Sequence, residues 1–262
     1  MIEVSAFIMG ICHPQRIKFL NESLNYLDKQ NFPFKQKVLA IDEFGGHTFP
    51  NEFKMELESR GWTILIDNHR SRTKSMDHAF NIITSDYIFY NEDDVKATIP
   101  KIEDLTKIFN NTKVGNRECG MISLTLGGSS NHFPANEYGD LKEIKNNVLL
   151  QNNDYLIFRR LEEKKNDYFF EFPGLIIKTK LFKECHRIAK KFFVNEQIER
   201  GLTKAWFSSM LNDNYYKCSV AKNNIYEIID TSPADSTAKC RLLENLDENQ
   251  GSSPFGGNHS YV

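Results

Sequence analysis

The stretch Tyr87-Ile88-Phe89-Tyr90-Asn91-Glu92-Asp93-Asp94-Val95 is the most informative segment of this chain. It begins as a short apolar run, typical of a buried β-strand, and ends in three consecutive carboxylates. If the extended backbone continues, Glu92 and Asp94 point the same way, because side chains alternate along a strand. Three adjacent acids repel each other, and a hard divalent cation, which prefers oxygen ligands, would offset that repulsion. Taken alone, the acids fit either a cation site or a solvated acidic turn.

The composition indicates a globular chain with its own hydrophobic core. At 262 residues, with 20 Phe and 10 Tyr, the chain is long enough for one large α/β domain or one domain with an extension. Its formal net charge of -2 gives no general reason to expect a nucleic-acid or membrane partner. The five cysteines are far apart and form no C-x-x-C pair. That pattern predicts reduced thiols in a cytoplasmic protein, with no zinc site and no disulfide framework.

Strand and helix patterns alternate through the first half of the chain. The apolar run at 3–12 is too short to span a bilayer and predicts a first strand. Pro14 then suits the first turn of a helix. Later strands are predicted at 37–41, 62–66 and 87–91, with helices between them. This alternation is typical of βαβ units and a mostly parallel sheet, whose ligands collect at the carboxyl ends of the strands. The polar groups expected at that edge are His13, Arg16, Asp42, Asp67, Glu92, Asp93 and Asp94.

The second half of the chain is predicted to be organised differently. A strand at 120–126 leads into the turn Gly127-Gly128-Ser129-Ser130. Apolar residues at helical spacing predict helices at 181–193 and 196–210, the first of them basic. A Gly- and Ser-rich stretch at 250–258 predicts a flexible tail or lid. We therefore divide the chain into a nucleotide-binding half (1–130), an acceptor-side half of the same domain (131–231) and a C-terminal tail (232–262).

The order of these parts resembles a glycosyltransferase of the GT-A fold, most similar to family 2. Members of that family begin with a strand, a T-x-N-R-like turn and a helix, and the turn here is His13-Pro14-Gln15-Arg16. A strand ending in aspartate follows, here Asp42, and then a helix start of the type N-x-G-x-x-x-A-x-N, here at 68–81. The D-x-D motif closes the set, here as Glu92-Asp93-Asp94. The resemblance covers residues 3–110.

This resemblance implies an α/β fold of the GT-A, Rossmann-like type: a mostly parallel central sheet flanked by helices, with an acceptor-side extension and a flexible C-terminal tail. A weaker similarity at 172–174 and 195–199 falls in the acceptor-side segment. The implied reaction moves a sugar from a nucleotide-diphosphate sugar, with UDP favoured, to a hydroxyl group of a glycan or another acceptor. The implied enzyme depends on Mn²⁺ or Mg²⁺ and inverts the anomeric centre.

The resemblance also implies roles for individual residues. The implied metal ligands are Glu92, Asp94 and, from the C-terminal tail, His259. The implied general base, which deprotonates the acceptor hydroxyl, is Glu196, with Glu199 one turn further on as the reserve. The residues expected to bind the donor are His13, Arg16, Asp42, Arg70, Arg72, Lys74, Glu92 and Asp93.

Several of these assignments have an ordinary structural alternative. Glu92 stands where the family has aspartate, and the glycine expected at the start of the 68–81 helix is missing. Asp42 is equally explained as an Asx turn before a pair of glycines. A single arginine on a first helix, such as Arg16, is usually a surface residue. Glu196, followed by glutamine rather than the family's aspartate, also fits a helix N-terminal acid favoured by the helix dipole.

Other functions stay open on the sequence alone. A nucleotidyltransferase also holds Mg²⁺ with strand-end carboxylates, but such enzymes begin with a Gly-rich phosphate loop, and the segment after the first strand contains only Gly10. A non-catalytic nucleotide- or glycan-binding protein of the same fold would tolerate amide substitution of its carboxylates. The near-neutral charge disfavours a glycosyltransferase acting on DNA bases. Peripheral membrane contact through a basic face needs no hydrophobic segment and stays open.

Overall fold

The computed structural model of the chain describes residues 1–43, 46–67, 72–93, 95–124, 146–159, 174–192, 215–221 and 226–228. The helices in these ranges are α1 (Pro14–Lys29), α2 (Asn51–Ser59), α3 (Arg72–Ile82), α4 (Ile102–Asn111) and α5 (Thr179–Phe192). The strands are β1 (Val4–Cys12), β2 (Lys37–Glu43), β3 (Trp62–Asp67), β4 (Tyr87–Glu92), β5 (Val95–Ala97), β6 (Lys113–Val114), β7 (Arg117–Ser123), β8 (Val148–Gln151), β9 (Leu156–Arg159), β10 (Leu175–Lys178), β11 (Tyr215–Ala221) and β12 (Tyr226–Ile228).

A sheet of ten strands organises these elements, in the order β3-β2-β1-β4-β10-β7-β11-β9-β8, with β6 paired to β7. Strands β1 to β4 run parallel to one another, and β7 pairs in parallel with β11. Strand β10 is inserted antiparallel between β4 and β7. The mostly parallel sheet flanked by helices confirms the predicted fold class, whereas the sequence pattern does not predict the antiparallel insertion.

Apolar side chains cover both faces of this sheet. Along β1, Ala6 and Ile8 enter the core shared with α1, α2 and α4, whereas Phe7 enters the core shared with α3 and α5. The split follows from strand geometry, since successive side chains point to opposite faces. Helix α1 contributes Leu20 and Leu24, both fully buried, whose spacing places them on one face of the helix. The central strands are therefore buried on both faces, and their polar groups can meet a ligand only at the strand ends.

A polar network around Asp28 ties together the amino ends of β2 and β3. Asp28 accepts hydrogen bonds from Arg60 (Nε at 2.9 Å, Nη2 at 2.6 Å), Lys37 (3.0 Å) and the Trp62 indole (3.2 Å). Lys37 begins β2 and Trp62 begins β3, so the network joins both strands to the end of α1. Burial by itself would raise the pKa of Asp28, but the hydrogen bonds from these three side chains outweigh burial and hold that pKa below its usual value.

Asp28→Asn is expected to lower the free energy of unfolding near neutral pH by about 1.5–3 kcal/mol, because hydrogen bonds to a charged acceptor are lost. The folded pKa of Asp28 lies below the unfolded one, so its stabilisation is present above the unfolded pKa and is lost as the pH falls through the folded pKa. The deficit of the variant should therefore shrink below about pH 4. Urea unfolding at about pH 7 and about pH 3 measures this. An equal deficit at both pH values would contradict it.

Element boundaries agree with the sequence prediction in the first half and shift slightly in the second. The strand predicted at 120–126 is β7, which begins and ends slightly earlier in the chain, and the helix predicted at 181–193 is α5. The turn at 127–130, the helix predicted at 196–210 and the tail at 232–262 lie outside the described residues. Within the described residues, no helix is long and apolar enough to cross a membrane.

Candidate functional site

Carboxylates lie at the carboxyl ends of neighbouring parallel strands. In the register of β1, β2 and β3, Ile11 is opposite Asp42, and Asp42 is opposite Asp67. On the other side of β1, Met9 is opposite Glu92 of β4. Asp42 and Asp67 are buried, with exposed fractions of 9% and 5%. The sheet therefore gathers carboxylates from three strands along the edge at which parallel sheets bind ligands.

Asp93, the middle acid of the turn after β4, forms a buried ion pair with Arg16 of α1. Nη2 of Arg16 lies 2.6 Å from Oδ1 of Asp93, and Nε donates to Oδ2 at 3.4 Å, as does the amide of Ile11. Arg16 is 1% exposed and Asp93 is 4% exposed. Burial raises the pKa of Asp93, and the charge of Arg16 opposes that rise. Arg16 is thus a buried partner of the acidic turn and not a surface residue.

Gly10 provides the space that Asp93 occupies. A methyl group on Gly10 would lie 2.9 Å from Cβ of Asp93 and 3.1 Å from its Oδ2, which is too close without a shift of one of them. Glycine inside a buried strand often marks a close approach of this kind. Asp93 therefore packs directly against the backbone of β1, where a side chain at position 10 would displace it.

His13 is the single residue that links β1 to α1. It caps the helix, because its Nδ1 accepts a hydrogen bond from the amide of Gln15 at 3.2 Å, and Pro14 occupies the first helical turn. In the neutral ring this bond places the proton on Nε2. His13 is buried and packs edge-on against His47, with ring centroids 5.0 Å apart. His13 therefore lies at the carboxyl end of β1, where its place between β1 and α1 and its cap hydrogen bond both fix it.

Glu92 and Asp93 face different sides of the sheet. The Tyr90 hydroxyl lies 3.5 Å from Oε1 of Glu92, on the side covered by α3 and α5, whereas Asp93 contacts α1. The half-buried carboxylate of Glu92 fits a hard cation, which takes oxygen ligands. No three His, Cys, Asp or Glu side chains of the described residues are grouped to hold a metal. Asp94 and His259, the other predicted ligands, lie outside those residues, so the metal site stays a prediction.

Helix α3, whose start carries cations predicted to meet the diphosphate, is held by two aspartate–histidine pairs. Nδ1 of His78 lies 2.8 Å from Oδ1 of Asp67, at the end of β3. Asp77, the preceding residue, contacts His186 of α5, with 2.7 Å between Oδ1 and Nε2. The two pairs fix α3 to the edge of the sheet on one side and to α5 on the other.

The remaining predicted site residues divide into two groups. Lys74 is exposed on α3, and Arg72 begins that helix. The side chain of Arg72 lies outside the described part of the chain, as do Arg70, Glu196 and Glu199. Their predicted roles in binding and catalysis stay predictions.

The basic segment around α5 is engaged with neighbouring groups of the same chain. Lys178 pairs with Glu118 at 2.6 Å, and Arg187 pairs with Glu184 on the same helix. Nζ of Lys183 donates to the carbonyl of Ile83 at 3.0 Å. These contacts neutralise or occupy several of the cations that the sequence offers for contact with a membrane surface.

The four cysteines in the described residues are free and buried, namely Cys12, Cys119, Cys185 and Cys218. Burial raises the pKa of Cys12 to about 11 and that of Cys185 to about 12. We expect none of the four to react with Ellman's reagent in the native protein at mildly alkaline pH, whereas all thiols react in denaturant. Native release of more than one equivalent per chain, beyond what Cys240 can supply, would contradict this.

Sequence reasoning missed three residues of this edge. Gly10 carries a usable signal, because glycine in a buried strand favours a close backbone approach. Tyr90 and His78 carry none, since an apolar strand residue and a polar helix residue are ordinary in those positions. Their places beside Glu92 and Asp67 follow only from how β4 and α3 pack on the sheet.

No family model and no curated protein sequence matches this chain. Among solved structures, S. aureus TarS 1–349 is similar with a TM-score of 0.55 at 16% identity, and the similarity covers 94% of this chain and 66% of that one. The same TarS fragment in complex with UDP-GlcNAc is similar with a TM-score of 0.52 at 14% identity, over 94% of this chain and 67% of that chain. This chain spans 39% of a longer TarS structure, with a TM-score of 0.55 at 15% identity and 94% of this chain covered.

These similarities extend over nearly the whole chain, but identities of this size show a fold and not an activity. They agree with the mixed α/β architecture described above, a mostly parallel sheet flanked by helices. The chain has a fold of the GT-A type.

Proposed function

We propose that this protein is a glycosyltransferase, which moves a sugar from a nucleoside-diphosphate sugar to a hydroxyl group of an acceptor. The placement of Glu92 at the carboxyl end of β4, with Asp42 and Asp67 on the same edge, carries this proposal. Such an edge is where open α/β sheets bind nucleotides. The fold adds support, because S. aureus TarS has been crystallised with UDP and with UDP-GlcNAc. A UDP-sugar is the donor we favour.

In this proposal, different strand ends bind different parts of the donor. Asp42, near the end of β2, accepts a hydrogen bond from the N–H of the uracil ring. Glu92 and Asp94, with His259 as a further ligand, would hold Mn²⁺ or Mg²⁺, which when bound would stabilise the departing diphosphate. The cations expected to meet the diphosphate are Arg70, Arg72 and Lys74, and the last two belong to α3.

Transfer with inversion needs a group that removes the proton of the acceptor hydroxyl. Glu196 takes that role in the proposal, and Glu199 is its reserve. As the acceptor oxygen forms its bond to the anomeric carbon, the bond from that carbon to the diphosphate oxygen breaks, and the hydroxyl proton passes to the glutamate. The nucleoside diphosphate leaves from the face of the anomeric carbon opposite to the attack, which inverts that centre.

The link between β1 and α1 disfavours a nucleotidyltransferase. Such enzymes wrap the triphosphate in a Gly-rich loop after the first strand, whereas β1 and α1 are joined here by His13 alone. Gly10 lies within β1 and its free space is taken by Asp93. The edge therefore suits a diphosphate held by a cation better than a triphosphate held by a loop.

A thermal-shift panel of UDP, GDP, CMP and ATP, each with and without Mn²⁺, tests the proposal. A ligand that binds only the folded protein at a hundredfold excess over its dissociation constant stabilises it by about 2.7 kcal/mol. We expect a nucleoside diphosphate to shift the melting temperature only when Mn²⁺ is present, and Glu92→Gln and Asp94→Asn each to abolish that shift. Glu52→Gln makes the same chemical change at an exposed position of α2 and should leave the shift unchanged.

Two results would contradict the proposal. If no nucleotide shifts the wild-type protein under any condition, the edge is not a donor site. If nucleotide shifts it equally in Glu92→Gln and Asp94→Asn, the carboxylates do not hold a cation, and a binding protein that lacks metal-dependent catalysis explains the fold better.

A further inference from the structure

We propose that Arg16 and Asp93 are positioning residues of the donor site. Their ion pair clamps the turn after β4 onto β1 and α1, and so fixes the neighbouring carboxylate of Glu92 for the cation. The inference rests on the proposed function and concerns how the same site is built. It also removes Asp93 from the set of groups that touch the donor.

The contacts of Asp93 leave it little capacity for a ligand. One carboxylate oxygen receives Nη2 of Arg16 at 2.6 Å, and the other receives Nε of Arg16 and the amide of Ile11, each at 3.4 Å. With 4% of its surface exposed, Asp93 could meet a cation only by giving up the guanidinium. Glu92, by contrast, is half-buried on the other face of the sheet.

The pair joins three pieces of backbone at this edge. Arg16 and Asp93 are 77 positions apart, and they connect α1 to the turn after β4. Two residues of β1 also hold Asp93 in place. Gly10 leaves space for it because it has no side chain, and the amide of Ile11 donates a hydrogen bond to it. Because Asp93 is bonded directly to Glu92, holding its backbone against β1 also restricts the directions in which the Glu92 carboxylate points.

The charge of Arg16 adds an electrostatic reason. Three adjacent carboxylates repel one another, and the repulsion is strong in a site shielded from water. The guanidinium neutralises the middle acid in place and so lowers the repulsion between that acid and Glu92. The turn is thereby arranged for a cation before the cation arrives, and less binding free energy is needed to order it.

Loss of a partner that orients a metal ligand typically weakens metal affinity about 10–100-fold, so Asp93→Asn should weaken Mn²⁺-dependent nucleotide binding by that amount. Gly10→Ala should act in the same direction without changing any charge, because its methyl group displaces Asp93. Arg16→Lys keeps the charge but lacks the planar fork of the guanidinium, so it should fall between wild type and Asp93→Asn.

The experiment is a calorimetric titration of Mn²⁺ together with UDP, or with whichever nucleoside diphosphate gives the largest shift in the panel. It uses the full chain of the wild type, Asp93→Asn, Gly10→Ala, Arg16→Lys and Glu92→Gln, at a temperature at which circular dichroism shows each variant folded. Asp28→Asn is the stability control, since its network lies at the amino ends of the strands. It should melt earlier and yet bind within about twofold of wild type, because it orients no ligand.

Each outcome decides a different point. If the wild type shows no metal-dependent binding, the proposed function and this inference both fall. If the wild type binds and Glu92→Gln does not, but Asp93→Asn and Arg16→Lys bind like wild type, the function stands and the positioning role is overturned. If the affinity for Mn²⁺ and nucleotide falls in step with the melting temperature, Asp28→Asn will bind as weakly as Asp93→Asn. The ion pair is then structural only, and the inference is also overturned. Should Gly10→Ala not fold, the other two variants still distinguish these outcomes.

Discussion

Arg16→Met is expected to lower the free energy of unfolding by about 3–5 kcal/mol, because it leaves the carboxylate of Asp93 buried without its cation. Methionine keeps most of the volume and the apolar stem of arginine, so the loss reports the charge and not a cavity. Arg16 is 1% exposed, and water cannot readily replace the guanidinium at that depth. Urea unfolding monitored by circular dichroism measures the change.

Lys35→Met is the matched control for this variant. Lys35 pairs with Glu3 at the surface, where the side chains are 38% and 51% exposed. Exposed ion pairs contribute about 0.2–1 kcal/mol, so replacing this cation with methionine should be nearly neutral. The double variant Arg16→Met with Asp93→Asn should recover much of the lost stability, since it removes the stranded charge. Equal effects of Arg16→Met and Lys35→Met would show that the buried pair contributes no more than a surface one.

Phe182→Ala is expected to destabilise the protein by about 3–5 kcal/mol, through lost burial and the cavity left behind. Phe182 of α5 is fully buried, and its ring lies 5.0 Å from the Phe80 ring and 5.7 Å from the Tyr90 ring. It therefore joins α5, α3 and the strand that ends in the acidic turn. The change should appear as a lower urea midpoint with an unchanged slope.

Two further variants bracket this result. Phe182→Leu keeps much of the apolar volume and should cost clearly less than Phe182→Ala. Met55→Ala removes a side chain that is 61% exposed on α2, and the stability should change by less than about 0.5 kcal/mol. If Phe182→Ala were as mild as Met55→Ala, α5 would not be packed on β4 as described.

The first half of the fold is predictable because its signals are local. The apolar run of β1, the proline at the start of α1 and the spacing of Leu20 and Leu24 each report their own element. Such patterns do not determine which strand pairs with which. The short apolar strand β10 would suit any buried position, and its antiparallel place between β4 and β7 depends on segments far away in sequence.

The candidate site likewise combines features that local sequence predicts with one that depends on long-range packing. The sequence places Asp42 and Glu92 at strand ends, and the structure confirms that they lie on one edge. The burial of Arg16 could not be predicted in this way. An arginine on an amphipathic helix is normally a surface residue, and it is buried only where the fold places an acid beside it. That acid, Asp93, comes from 77 positions further along the chain.

What the sequence by itself determined is the alternation of strands and helices from β1 to β4 and, with it, the shared edge of Asp42, Asp67 and Glu92. Parallel strands joined by crossover helices must end on the same side of a sheet, so composition and spacing are sufficient for that much. Only the tertiary structure decided that Asp93, the middle of the three acids, turns inward. That choice depends on the space above Gly10 and on the reach of the Arg16 guanidinium, both of which exist only once β1, α1 and β4 have packed together.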